Sequence, residues 1–81
     1  KGWTMVSDKW YYMRDDGSMV IGWRQIGGFW YYFQGDGQMA TGWLQVDGGV
    51  YYLDENGRMK ANETFTVDGV QYPAREDGRC N

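Results

Sequence analysis

The chain has no histidine, one cysteine, one proline and no long apolar run, and each scarcity removes a class of function. Without histidine it lacks the commonest general base near neutral pH and a common zinc ligand. Ser7 and Ser18 therefore have no imidazole to activate them as nucleophiles. Cys80 stands alone, so no disulfide can form within the chain. It reads as a tolerated thiol, with intermolecular pairing as the sharper alternative. No segment reaches the roughly 20 apolar residues of a membrane helix. No signal peptide or lipidation motif is present, and any targeting signal is expected to lie upstream of Lys1. Basic residues are also scarce: eight against eleven acidic, for a net charge of −3. That balance disfavours nucleic acid, whose binding rests on phosphate neutralisation, and anionic lipid surfaces as well.

What is abundant is aromatic and glycine content. Five Trp, seven Tyr and three Phe make 19% of the 81 residues, beside thirteen Gly. A chain this short is at most one domain, 1–81, and buries a small share of its surface. So many rings must serve a core or a binding surface. Disordered chains are poor in aromatics, so the glycines point to tight turns instead.

The rings and glycines recur with a period of 20. Residues 2–21 read GWTMVSDKWYYMRDDGSMVI, residues 22–41 GWRQIGGFWYYFQGDGQMAT and residues 42–61 GWLQVDGGVYYLDENGRMKA. Gly2, Gly22 and Gly42 align, as do Trp3, Trp23 and Trp43, and Met19, Met39 and Met59. Residues 62–81, NETFTVDGVQYPAREDGRCN, form a degenerate fourth copy that reads as a cap. There Glu63–Thr64 replace the Trp, Gln71 the middle Tyr and Pro73 an apolar strand residue. Tyr72 falls 20 residues after Tyr52, whereas Val67-Asp68-Gly69 falls 21 after Val46-Asp47-Gly48.

Each copy reads as a β-hairpin, and the fold class is all-β. A short segment such as Trp3 to Val6 runs into a polar turn at Ser7, Asp8 and Lys9, then into the β-formers Trp10, Tyr11, Tyr12 and Met13. Asp16-Gly17, Asp36-Gly37, Asn56-Gly57 and Asp77-Gly78 mark a second turn. A lone hairpin is barely stable in water, so successive hairpins are expected to stack into a solenoid.

The pattern GW–x6–WYY–x4–G–x–M–x2–GW resembles the choline-binding, or cell-wall-binding, repeat of Gram-positive surface proteins. It is carried by Gly2-Trp3, Trp10-Tyr11-Tyr12, Gly17, Met19 and Gly22-Trp23, and recurs from Gly22. Related repeats occur in glucan-binding regions of glucosyltransferases and in clostridial toxins. The resemblance implies a secreted, cell-wall-associated and non-catalytic module with no cofactor. It also implies that choline on teichoic acids is held between hairpins by two Trp of one repeat and an aromatic of the next, often beside a Met.

Carried over residue by residue, the first cage is Trp3, Trp10 and Tyr32 with Met39, and the second Trp23, Trp30 and Tyr52 with Met59. Tyr32 is preferred to Tyr31 because it shares a strand face with Trp30. A third, weaker site would use Trp43 and Tyr72, with Val50 where the second Trp belongs.

Plainer readings stand beside these. The rings can all be core, and the five Met can be gap-fillers. Asp15–Asp16, Asp36 and Asp54–Glu55 could be paired acids, but they recur in phase with the repeat, as turn residues do. No Glu stands at the twelfth position of a calcium loop beginning at Asp15, and no metal site is expected. Two other functions remain open: a glycan-binding module, with Gln25, Gln45 or Asp47 beside the rings, and a ligand-free structural spacer or homodimerisation stalk.

Overall fold

The structure, a computed structural model, describes residues 2–81. Among these, eight five-residue strands form four antiparallel hairpins. They are β1 (Gly2–Val6) with β2 (Lys9–Met13), β3 (Gly22–Ile26) with β4 (Phe29–Phe33), β5 (Gly42–Val46) with β6 (Gly49–Leu53), and β7 (Glu63–Val67) with β8 (Val70–Ala74). No helix is present among the described residues, and so none long enough to cross a membrane. The chain divides into two compact units, residues 1–40 and 41–81.

Every hairpin closes through a two-residue turn, one residue shorter than the sequence suggests at Lys9, which is already strand. Both central residues have positive φ: Ser7 and Asp8 at 51° and 66°, Gly27 and Gly28 at 61° and 89°. This is the turn whose twist matches that of the strands it joins. Ser7 and Asp8 adopt it without glycine, so the first turn stores backbone strain.

After the hairpin the chain turns again at the Asx-Gly pairs and runs back along the second strand. Val20, Ala40 and Lys60 N–H donate to the carbonyls of Tyr12, Tyr32 and Tyr52. The carboxylates hold these turns. Asp16 accepts from Ser18 N–H (2.9 Å) and Ser18 Oγ–H (2.7 Å), and these bonds hold its carboxyl below the usual range. Asp36, Asp54 and Asp77 accept from the backbone N–H groups of Gln38, Asn56 and Arg79. Asp16, Asp36, Asp54 and Asp77 are thus engaged in turn chemistry.

In the first unit the core is Val20, Tyr31 and Phe33, with Tyr12, Ile26 and Met39 packed against it. Gly37 carries no side chain because Met19 lies on it: a Cβ there would come within 2.6 Å of the Met19 sulfur. Met59 covers Gly78 in the same way in the second unit.

The fourth hairpin departs from the register read in the sequence. β7 begins 21 residues after β5, because Asn62 takes the positive φ (56°) that Gly42 has (76°) and adds one residue before the strand. Tyr72 is therefore the counterpart of Tyr51, not of Tyr52. Thr64, Gln71 and Pro73 stand where the third hairpin has Trp43, Val50 and Tyr52, and Cys80 stands where it has Met59. Ala74 replaces the large residue at the end of the strand, and Phe65 supplies the missing ring from the opposite strand. Phe65 meets Trp43 at 6.0 Å and 45°, as Phe33 meets Trp3 at 5.8 Å and 46°.

Two outcomes follow. Asp8→Gly relieves a left-handed aspartate and should stabilise the protein by about 0.5–1 kcal/mol, read as a raised denaturant midpoint. Phe65→Ala empties a buried ring site and should cost about 3–5 kcal/mol in the same measurement, whereas Thr4→Ala, at the corresponding strand position of the first hairpin, should cost far less.

Candidate functional site

Alternation along the strands fixes which rings share a face. Trp3 lies opposite Tyr12 and Met5 opposite Trp10, so these four side chains share one face of the first hairpin. Trp3 and Trp10 meet edge to face, centroids 6.1 Å apart and planes at 88°. Trp3 also meets Tyr12 at 5.2 Å.

The ring that reaches Trp3 from the second hairpin is Tyr31, at 4.9 Å and 70°. Tyr32, to which strand parity gave that place, rests instead on Trp23 of its own hairpin at 5.0 Å. The reason is geometric. Hairpins stacked in one sense bring the Trp face of one against the opposite face of the next. A neighbour's wall therefore comes from Tyr31, whose parity is opposite to that of Trp30. Met39 sits beside the same group, its N–H donating to the Trp10 carbonyl (2.8 Å). Trp3, Trp10 and Tyr31 thus meet at one corner, with Met39 packed against the core that includes Tyr31. Trp3 is 38% and Trp10 39% exposed, a large share for indoles packed between hairpins.

Trp23 and Trp30 repeat the two-indole wall, at 6.5 Å and 81°. Tyr52 and Met59 belong to the second unit: Tyr52 packs on Trp43 (4.9 Å) and stacks on Phe65 (5.1 Å, 23°), and Met59 covers Gly78.

Trp43 meets Tyr72 at 4.9 Å and 75°, the geometry of Trp3 with Tyr31. Its second indole is missing, because Val50 occupies that position. Cys80 N–H donates to the Val50 carbonyl (2.7 Å), as Met39 N–H does to Trp10. Burial raises the Cys80 thiol pKa, partly offset by a backbone hydrogen bond. Arg79 bonds to Tyr51, which raises the guanidinium above its ordinary value.

Elsewhere, an open hollow of about 430 Å³ is lined by Gly2, Tyr12, Met13, Arg14, Asp15 and Arg24. With one ring, and two guanidinium groups against the single Asp15 carboxylate, it offers a cation little attraction.

Two family models match the chain. One described as a choline-binding repeat covers residues 20–65, and one described as a cell wall binding repeat covers residues 1–19. The chain belongs to the choline-binding repeat family. Choline-binding protein F of Streptococcus pneumoniae, solved in the presence of a peptidoglycan analogue, is 44% identical with a TM-score of 0.86 over 99% of this chain and 26% of that one. The choline-binding domain of Spr1274 from Streptococcus pneumoniae is 36% identical with a TM-score of 0.85, over 99% of this chain and 93% of that domain. The modular autolysin LytC of the same species is 31% identical with a TM-score of 0.78, over 98% of this chain and 19% of the autolysin. The chain thus spans about a quarter of choline-binding protein F and less of the autolysin. A comparison with curated proteins gives no match. Choline-binding repeats are binding modules, and residues 1–65 of this chain match such repeats.

The raised thiol of Cys80 has a direct readout. Alkylation by iodoacetamide at pH 8 should be slower than that of a free cysteine, because less thiolate is present, and should keep rising with pH beyond the ordinary thiol range.

Proposed function

We propose that this chain is a non-catalytic module that holds choline groups of wall teichoic acid and so tethers a secreted parent protein to the cell surface. The observation that carries the reading is the corner of Trp3, Trp10 and Tyr31, whose rings meet near right angles while both indoles keep exposed surface. A trimethylammonium group is a bulky, weakly hydrated cation without a hydrogen-bond donor. Ring faces carry the negative side of the aromatic quadrupole and can enclose it without polar partners. Each ring contributes roughly 0.5–2 kcal/mol. Three rings less the costs of association leave about 4 kcal/mol, on the order of millimolar affinity. Trp23 and Trp30 are proposed to hold a second choline on the same two-indole wall. On a polymer with many cholines, paired sites raise avidity roughly 10²–10⁴-fold. The four hairpins are read as four repeats, the last a degenerate cap.

A glycan-binding module is the second reading. It is favoured by the register, which sets Gln25 opposite Trp30 and so places an amide beside a ring.

A choline titration followed by tryptophan fluorescence, with sodium chloride as ionic-strength control, tests the choice. A saturable millimolar response absent with salt is expected. Trp10→Ala and Tyr31→Ala should each remove one equivalent and spare the other, whereas Tyr32→Ala should leave the first site in place. No response to choline beside binding on a glycan array would reverse the order of the two readings.

A further inference from the structure

Among the described residues, the joint between the third and fourth hairpins carries contacts that the joint between the first and second lacks. Both share a frame: a Trp on a tyrosine of the next hairpin, a phenylalanine beside them, a Met over a turn glycine, and one backbone bond back to the preceding hairpin. The third joint adds Asn81. Its Nδ2 donates to the Gly48 carbonyl (3.1 Å), and its Oδ1 accepts from Val50 N–H (3.2 Å). One side-chain amide thus satisfies the Gly48 carbonyl in the turn and the Val50 N–H on the β6 edge, beside the Cys80 bond to the Val50 carbonyl. The counterparts of Gly48 and Val50 are Asp8 and Trp10, and the residue at the Asn81 position is Ala40, which has no amide to offer. Phe65 also lies closer on Tyr52 (5.1 Å) than Phe33 does on Tyr12 (6.4 Å).

We propose, resting on the reading that the first joint takes choline, that the third joint is clasped by the chain's own residues and takes no quaternary ammonium, although Trp43 keeps 44% of its surface exposed: Val50 removes a wall, Cys80 shortens the methionine, and Asn81 clasps the edge. Three changes at one joint act in one direction. An indole wall that a ligand would bridge is gone, and hydrogen bonds within the chain tie the two hairpins instead. The module therefore has one joint that ligand can tighten and one already tight without it. The Trp43–Tyr72 pair serves packing, and Val50, Cys80 and Asn81 determine which joints bind.

Amide hydrogen exchange and NMR on the full chain, with choline as the probe, test this. Without choline, the Val50 and Cys80 amides should be protected. Asn81→Ala should speed exchange at Val50 about fivefold, the effect of one hydrogen bond. Choline should move the resonances of Trp10, Tyr31 and Met39 and leave those of Trp43 and Tyr72 in place. Val50→Trp alone should leave the number of bound cholines unchanged, whereas Val50→Trp with Cys80→Met and Asn81→Ala should add one. Choline-induced shifts on Trp43 and Tyr72 in the unsubstituted chain, or an added equivalent from Val50→Trp alone, would overturn the proposal, as would an unchanged count in the triple variant. If choline moves no resonance at all, the reading of the first joint fails, while exchange at Val50 still decides whether the clasp exists.

Discussion

Within each unit one contact carries the first hairpin onto the second: an indole and a tyrosine ring edge to face at 4.9 Å, Trp3 with Tyr31 and again Trp43 with Tyr72. The strands are five residues long and pair only within their own hairpin. Such a hairpin is not stable alone. A single backbone bond, from Met39 or Cys80, crosses each of these joints as a strand-edge rung. Ring packing must therefore supply most of the cohesion, and the rest of each unit serves it. Gly37 and Gly78 leave space for the methionine that closes the joint from the side. The Asx-Gly turns return the chain to place that rung.

Much of this was legible in the sequence because the determinants are local and periodic. Asx-Gly pairs announce turns, and WYY runs announce strands. A fixed interval of 20 leaves one register for the first three copies. The Tyr31 contact was legible too, but from a different premise. Parity within one hairpin points to Tyr32, which shares the face of Trp30. Parity between stacked hairpins reverses the answer, since like faces of a one-way stack never meet. The first turn shows the opposite limit. Ser7 and Asp8 have no glycine to license positive φ, yet pairing of β1 with β2 imposes it. Strand register overrides local preference there.

The fourth hairpin was hidden because its packing is conserved in space and not in sequence position. Asn62 adds one residue, so every counterpart after it is displaced by one. Ala74 gives up the ring that Phe33 provides, and Phe65 restores it from the neighbouring strand. Alignment at a fixed interval of 20 does not pair Ala74 with Phe33, so the exchange with Phe65 stays hidden. The Asn81 clasp is likewise silent in sequence, because an asparagine side chain bonded to a strand edge has no pattern of its own.

Packing and binding draw on different parts of the same indole, which is why one residue can serve both. Trp3 stands steeply to Tyr31 and to Trp10, so ring edges and faces meet within the joint and indole surface still faces the corner between them. A cation is attracted to faces and gains little from edges. On the proposed reading, a ligand in that corner adds face contacts without displacing the contact that holds the hairpins. Binding then stabilises the joint by linkage, more at higher ligand concentration. A millimolar site contributes little at low free choline but much on a polymer that presents many choline groups close together. A joint built this way tightens when it meets such a surface. One clasped by Asn81 keeps its geometry either way, and so gives the chain a fixed element beside the responsive one.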